Sequence, residues 1–292
     1  MEEDEKLFLN LTDVQNFTDE FISCIAILRD GKKVKCVGKR NLHDEGKKLI
    51  QLQKTPLGQI IPKIYGLTQI GDTEYIIMEN LSADFTSPCH LDIKLGFRSW
   101  DINAPPETEK KLRERSLMTT SRNLAFRLDR GEFFRNGKCL MHLRKGYLAN
   151  LNVDWVSYTL NSFMPLTIYE QFYQTILHFI QIYKEMLNSF PNFRVYSGSV
   201  LLYYDSDHLD YPPRIRFIDL AHSHLDVTKN GGDLSEECND HVLDGLINLS
   251  HFTENSNSPY IGHYYIFLTD SESDSESETE IHSNDSPKIE QS

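Results

Sequence analysis

Short apolar runs dominate the first third of the chain, and each predicts a strand. Phe21–Leu28 and Lys33–Val37 flank Asp30-Gly31, a tight-turn pair suited to joining two strands. Asp44–Gln53 predicts a helix, and Glu74–Met78 has the composition of a buried strand. The polar stretch Leu81–Ser87 then reads as a hinge, and Pro88–Phe97 as an extended segment, because Pro88 resists a helix and Gly96 permits a turn. Further on the period changes. Tyr169, Phe172, Tyr173, Ile176, Ile180, Tyr183, Leu187 and Phe190 recur at helical spacing, which predicts a long amphipathic core helix over Tyr169–Phe190. Glu107–Ser116 is charged and helix-favouring, and Asn239–Ser250 predicts a last helix. Leu124–Leu128, Phe133–Leu143, Val195–Asp205 and Ile215–Leu220 predict strands, and Asn136-Gly137 reads as a hairpin turn. Strands first and mixed elements after give an α+β class with two lobes.

Composition and charge refine this picture. The chain has 292 residues, 39% hydrophobic and 25% charged, enough for a sizeable core. Its net charge of −13 is concentrated at the ends: Met1–Lys6 and Thr269–Ser292 hold −10 of it. The near-neutral remainder leaves room for a local basic pocket. The final stretch, TDSESDSESETE, is low-complexity and predicts a disordered acidic tail over residues 269–292, whose serines resemble substrates of acidophilic kinases. Five cysteines without a CxxC pair indicate a reducing compartment. With an acidic rather than basic start and no long apolar run, the expected location is cytoplasmic or nuclear, with no membrane span. Basic residues do not track with aromatics, which argues against nucleic acid as a partner.

Candidate chemistry lies in three places. In Pro88-Cys-His-Leu-Asp92-Ile-Lys94-Leu-Gly96, the period of two puts Asp92 and Lys94 on one face, an acid beside a base that suits holding a phosphate and orienting a hydroxyl. Lys39 ends one predicted strand and Glu45 opens the next helix; alone, this pair fits a solvated surface ion pair better than a site. Asp219, at the end of the apolar run Arg216-Phe-Ile, is placed as a strand-end carboxylate able to bind Mg²⁺ through oxygen.

Taken together, these segments resemble one family. Pro88, Asp92, Lys94 and Gly96 match the PxxxDxKxG signature of the inositol polyphosphate kinases. Gly198-Ser199-Val200-Leu201 resembles their Ser-Ser-Leu-Leu strand, and Ile218-Asp219-Leu220-Ala221-His222 their Ile-Asp-Phe-Ala-His motif. The six-residue step from Lys39 to Glu45, Glu79-Asn80-Leu81, Pro88-Cys89 and Glu109-Lys110 followed by Thr119-Thr120-Ser121 are similar to the inositol hexakisphosphate kinases. One strand departs from the pattern: Asn123–Leu128 replaces Leu-Gly-(Phe/Val)-Arg, and the Gly-Met-x-Val-Tyr continuation is absent, a difference that bears on the substrate.

The resemblance implies a two-lobed fold of the ATP-grasp and protein-kinase-like type. Residues 1–81 would form a nucleotide-binding lobe, and 82–268 a lobe with the inositol phosphate pocket and metal site. It implies ATP and Mg²⁺ as cofactors. Lys39 would contact the ATP phosphates, oriented by Glu45, and Glu79 and Leu81 would hold adenine through main-chain groups. Asp92 would meet either the ribose or the attacking hydroxyl. Lys94 would touch both the transferred phosphate and the inositol phosphate, and Asp219 would carry the metal with Ser199 in support. Lys110, Arg113, Arg144, Lys145 and His222 would serve the anionic substrate. The implied reaction converts inositol hexakisphosphate to a diphosphoinositol pentakisphosphate. The alternatives are a multikinase acting on lower inositol phosphates and a catalytically weak inositol-phosphate-binding scaffold.

Overall fold

The computed structural model describes residues 10–16, 18, 20–28, 30–135, 137–144, 151–227 and 238–254. Lys145, the acidic start of the chain and the tail expected over 269–292 lie outside these residues. Two five-stranded antiparallel sheets carry the architecture. The first contains β1 (Asn10–Asn16), β2 (Phe21–Ile27), β3 (Lys33–Arg40), β4 (Ile64–Ile70) and β5 (Thr73–Glu79) in the order β1-β2-β3-β5-β4. Helix α1 (Glu45–Leu52) follows β3. The second sheet contains β6 (Pro88–Leu95), β7 (Phe126–Arg135), β8 (Lys138–Leu143), β10 (Ser199–Asp205) and β11 (Arg214–Ile218), ordered β11-β10-β6-β7-β8. Helices α2 (Pro106–Leu117), α3 (Ser121–Leu124), α4 (Val153–Phe163), α5 (Tyr169–Ser189) and α6 (Val242–Glu254) accompany it, and β9 (Arg194–Val195) pairs with β12 (Ser223–His224).

The second sheet rests on α5. Phe172, Ile176, Phe179, Tyr183 and Met186 are buried along one stripe of that helix, each contributing roughly 1.5–3 kcal/mol of apolar burial. Phe179 and Tyr183 meet Phe217 of β11 edge-on, with ring centroids 5.8 and 6.0 Å away. This contact anchors the strand whose end carries Asp219. On β6, Cys89, Leu91, Ile93 and Leu95 are fully buried in the core, so alternation sends His90, Asp92 and Lys94 to the opposite face.

The segment Phe133–Leu143 divides, as its Asn136-Gly137 pair predicts, into the hairpin β7–β8 with Gly137 at φ +68° in the turn. Two strand assignments change in the folded chain. Leu124 closes α3 and Ala125 adopts φ +52°, so β7 starts at Phe126. Val195–Asp205 is interrupted at Ser197, φ +64°, where the chain turns between β9 and β10. The strands β1 and β4 and the helix α4 have no counterpart among the expected elements. β1 (NLTDVQN) is too polar to announce itself, and β4 carries Gly66 at an irregularity in its ladder. Helix α4 is capped by Asn152, whose side chain accepts from the Trp155 N–H.

Gly96, at φ +83°, ends β6 against the start of α6; a Cβ there would lie 2.2 Å from the Asp240 carbonyl oxygen. Backbone cannot retreat as a flexible side chain can. Gly96→Ala is therefore expected to destabilise the fold by about 2–4 kcal/mol, measured as a shift in the urea midpoint; an unshifted midpoint would contradict the close approach.

Candidate active site

The site is built on the central strand of the second sheet. Asp92 lies in register with Leu201 of β10 and Arg130 of β7, and Lys94 with Ser199 and Arg127. Ser199 in turn pairs with Ile218, so Asp219, the next residue, stands at the end of the same row. Asp219 adopts φ +59°, a left-handed conformation that Asp tolerates better than most residues and that turns the chain off the strand.

Lys39 spans the two sheets. Its Nζ donates to Glu45 Oε1 at 2.9 Å and to Asp219 Oδ1 at 3.0 Å. Glu45 is nearly fully buried at the head of α1, whereas the Asp219 side chain is 41% exposed and accessible from the cleft. Burial alone would pull the Lys39 ammonium down, but Asp219 and Glu45 outweigh it and raise its pKa. Conversely, burial pushes the Asp219 carboxyl up, and Lys39 and Lys94 together overcome this and hold it below its usual range. Beyond this pair, Lys48 donates to the Ala221 carbonyl, and the His43 and His222 rings approach to 5.9 Å.

Lys94 donates to Ser197 Oγ at 3.2 Å. Burial lowers its pKa, partly restored by Asp219, Asp92 and Asp129. Asp92 behaves oppositely. Burial, reinforced by Asp219 and Asp129, raises it to about 6, against the pull of Lys94. Its Oδ2 faces Arg130 Nε at 3.6 Å, while its Oδ1 and the buried Ser199 hydroxyl have no hydrogen-bond partner among the described residues. Ser199 does favour the Asp92 anion, so the two lie near each other without the geometry of a bond. Arg127 is buried and donates to Ser121 Oγ at 2.9 Å; burial and the neighbouring Arg115 lower its pKa to about 10.

The structure thus gathers Lys39, Glu45, Asp92, Lys94, Ser199 and Asp219 into one cleft, while the remaining candidates stand around it. Glu79 ends β5, and the Leu81 N–H beyond it has no partner among the described residues, which leaves it available to a ligand. His222 Nδ1 donates to Asp101 Oδ2 at 3.1 Å, and His224 Nε2 donates to the same oxygen at 2.8 Å. Lys110 is exposed on α2. Arg113, on the same helix, bonds Glu109 Oε1 at 2.7 Å and lies 4.6 Å over the Trp100 ring, so its guanidinium is already engaged. Arg144 follows β8, the edge strand of the sheet beside β7. Arg127, Asp129, Arg130 and Asp101 were not among the expected site residues. The first three did leave a signal, namely charges at 127, 129 and 130 interleaved with Phe126 and Leu128 in one strand.

The donor set fits a nucleotide with a divalent cation. Two buried oxygens without partners among the described residues, Asp92 Oδ1 and Ser199 Oγ, lie near the partly exposed Asp219 carboxylate. Among the described residues no cluster of three His, Cys, Asp or Glu forms a ready cage. One or two carboxylates completed by phosphate oxygens and water are what Mg²⁺ prefers.

The sequence model of the family described as inositol polyphosphate kinase matches residues 75–254. The inositol polyphosphate multikinase of Schizosaccharomyces pombe is 30% identical over 185 residues, 60% of this chain and 66% of that protein. The inositol hexakisphosphate kinase 1 of Saccharomyces cerevisiae is 26% identical over 141 residues, 46% of this chain and 13% of its own length. The chain therefore spans less than two thirds of either relative. Among solved structures, the S. cerevisiae inositol phosphate multikinase Ipk2, in complex with ADP and Mn2+, superposes with a TM-score of 0.57 at 22% identity, covering 75% of this chain and 98% of that one. The fold is accordingly the two-lobed, kinase-like α+β fold.

Proposed function

Because this chain belongs to the inositol polyphosphate kinase family, we propose that it transfers a phosphoryl group from ATP to an inositol polyphosphate, with inositol hexakisphosphate as acceptor and a diphosphoinositol pentakisphosphate as product. The observation that carries the reading is the Lys39–Asp219 ion pair, which joins the two sheets directly beside Lys94 and Asp92. Phosphoryl transfer asks a protein for positioning and charge neutralisation more than for covalent chemistry. The first sheet, with the Leu81 N–H at its exit, would hold the nucleotide. Lys39, held by Glu45, would bind its phosphates, and Lys94 would bridge the transferred group and the acceptor. Asp219, with Ser199 beside it, would hold Mg²⁺, which when bound would neutralise charge on the phosphates. Lys110, Arg127 and His222 would hold the acceptor's other phosphates, with Asp101 fixing the His222 ring.

Incubation with ATP, Mg²⁺ and a panel of inositol phosphates, with products resolved by anion-exchange chromatography, tests the proposal. A product more acidic than inositol hexakisphosphate is expected. Products formed only from lower inositol phosphates would favour the second reading, a multikinase, which the likeness to the S. pombe protein supports. No transfer to any acceptor would leave a binding scaffold.

The raised pKa of Asp92 adds a pH signature. The carboxyl is protonated below about 6 and charged above it, so a role that needs the anion fails as the pH falls. An acid limb in kcat/KM with its midpoint near that value is expected, and Asp92→Asn should abolish the limb. Stability runs the other way. A carboxyl raised on folding favours the fold below its unfolded pKa, and that contribution is lost as pH rises through about 6. A limb that survives in Asp92→Asn would assign it to another group.

A further inference from the structure

The ladder between β6 and β7 contains a bulge next to the site. Lys94 opposes Arg127 and Ile93 opposes Leu128, but Asp92 opposes Arg130, leaving Asp129 as the extra residue. In an unbroken ladder Arg130 would oppose Leu91, whose side chain is fully buried in the core. The extra residue moves Arg130 to the face of His90 and Asp92, the re-aiming of a side chain that bulges produce beside functional sites. On the other side of β7, Gly131 opposes Leu143, which brings Arg144 level with Arg130. A groove of about 610 Å³ lies here, lined by both arginines and by His90, Glu132 and His142.

The groove is cationic. Glu132 is occupied by His142, Oε1 to Nδ1 at 2.6 Å. Arg130 faces Asp92 at 3.6 Å and Asp129 at 3.9 Å through Nε only, so its two terminal nitrogens have no partner among the described residues. Arg144 is exposed and likewise has no hydrogen bond or ion pair among them. The terminal nitrogens of Arg130 and the guanidinium of Arg144, on neighbouring strands, match the oxygens of a phosphate monoester.

We propose that the Arg130–Arg144 groove, opened by the bulge at Asp129, is a phosphate subsite that takes a phosphate of the acceptor remote from the reacting group, making Arg130 a specificity-determining residue for highly phosphorylated acceptors. The proposal rests on the kinase reading above. Its physical basis is that an acceptor with phosphates all round its ring reaches the groove while Lys94 holds the reacting end, whereas a lightly phosphorylated one has nothing to place there.

The full chain is titrated calorimetrically with inositol hexakisphosphate, an inositol trisphosphate and ADP, comparing wild type with Arg130→Ala, Arg130→Lys and Arg130→Ala/Arg144→Ala. Hexakisphosphate affinity is expected to fall about fivefold in the single alanine variant and further in the double, with a shallower salt dependence. Arg130→Lys should recover part of the loss, and trisphosphate and ADP affinities should stay within about twofold of wild type. Arg130 is 59% exposed, so the variants should melt with wild type. Unchanged hexakisphosphate affinity in the double variant overturns the subsite alone. An equal loss for ADP overturns it in favour of a contact with the nucleotide. A wild-type chain that binds no inositol phosphate overturns the kinase reading and the subsite together.

Discussion

Asp219→Asn is expected to fold normally and to lose about three orders of magnitude in kcat with ATP and Mg²⁺. Asparagine tolerates the left-handed backbone at this position as well as aspartate does. It has the same shape and can still accept from Lys39 through its amide oxygen. What it lacks is the negative charge that would hold a cation against phosphate oxygens. The Lys39–Glu45 pair survives, so nucleotide affinity measured without metal should change little, while the gain in affinity on adding Mg²⁺ should shrink. Turnover near the wild-type value in Mg²⁺, with an unchanged melting temperature, would remove Asp219 from the metal site.

Lys94→Ala should be nearly as severe for a different reason. The ammonium stands in the row Ser199–Lys94–Arg127, two rows from Asp92 on the same face and close to Asp219. There it can neutralise charge on the group in flight and on the acceptor at once. Its loss is expected to lower kcat/KM by roughly a thousandfold and inositol phosphate affinity by at least about tenfold. It would also remove the charge that restrains Asp92, whose titration should move higher still. Truncation at a site without a conformational requirement should leave the fold intact. Calorimetry separates the roles: acceptor affinity equal to wild type would confine Lys94 to the nucleotide side.

The two variants probe different halves of one arrangement. Asp219 is brought to the cleft by β11, which α5 holds through Phe217, whereas Lys94 is brought there by the alternation of β6 over its buried face. Arg130 differs from both. It reaches the cleft only because one extra residue breaks the β7 ladder, on the strand that departs from the family pattern. A single backbone irregularity could thus change acceptor choice without touching the residues needed for transfer.

Much of the frame follows from the chain alone. Period-two alternation is local, so the shared face of Asp92 and Lys94 could be read from Pro88–Gly96 without knowing what lies beneath it. The same holds for α5, whose stripe repeats over five turns, and for Asp219 at the end of an apolar run. Helix α4 and strands β1 and β4 were not legible, because polar or glycine-containing segments become regular only when a neighbour supplies the ladder or the buried face. The hairpin in β7–β8 was legible from the Asn136-Gly137 pair, because a tight turn of this type needs the positive φ that Gly137 supplies. The Lys39–Asp219 contact joins residues 180 apart in sequence; chain order could suggest both ends, but only the tertiary fold brings them to 3.0 Å. The burial that lifts Asp92, the capture of Arg113 by Trp100 and Glu109, and the register shift that aims Arg130 into the groove are likewise tertiary. Local sequence determines which face a side chain takes within its own strand. Desolvation, cross-strand register and the partner of a charged group depend on what the rest of the chain places opposite, and these were decided only by the fold.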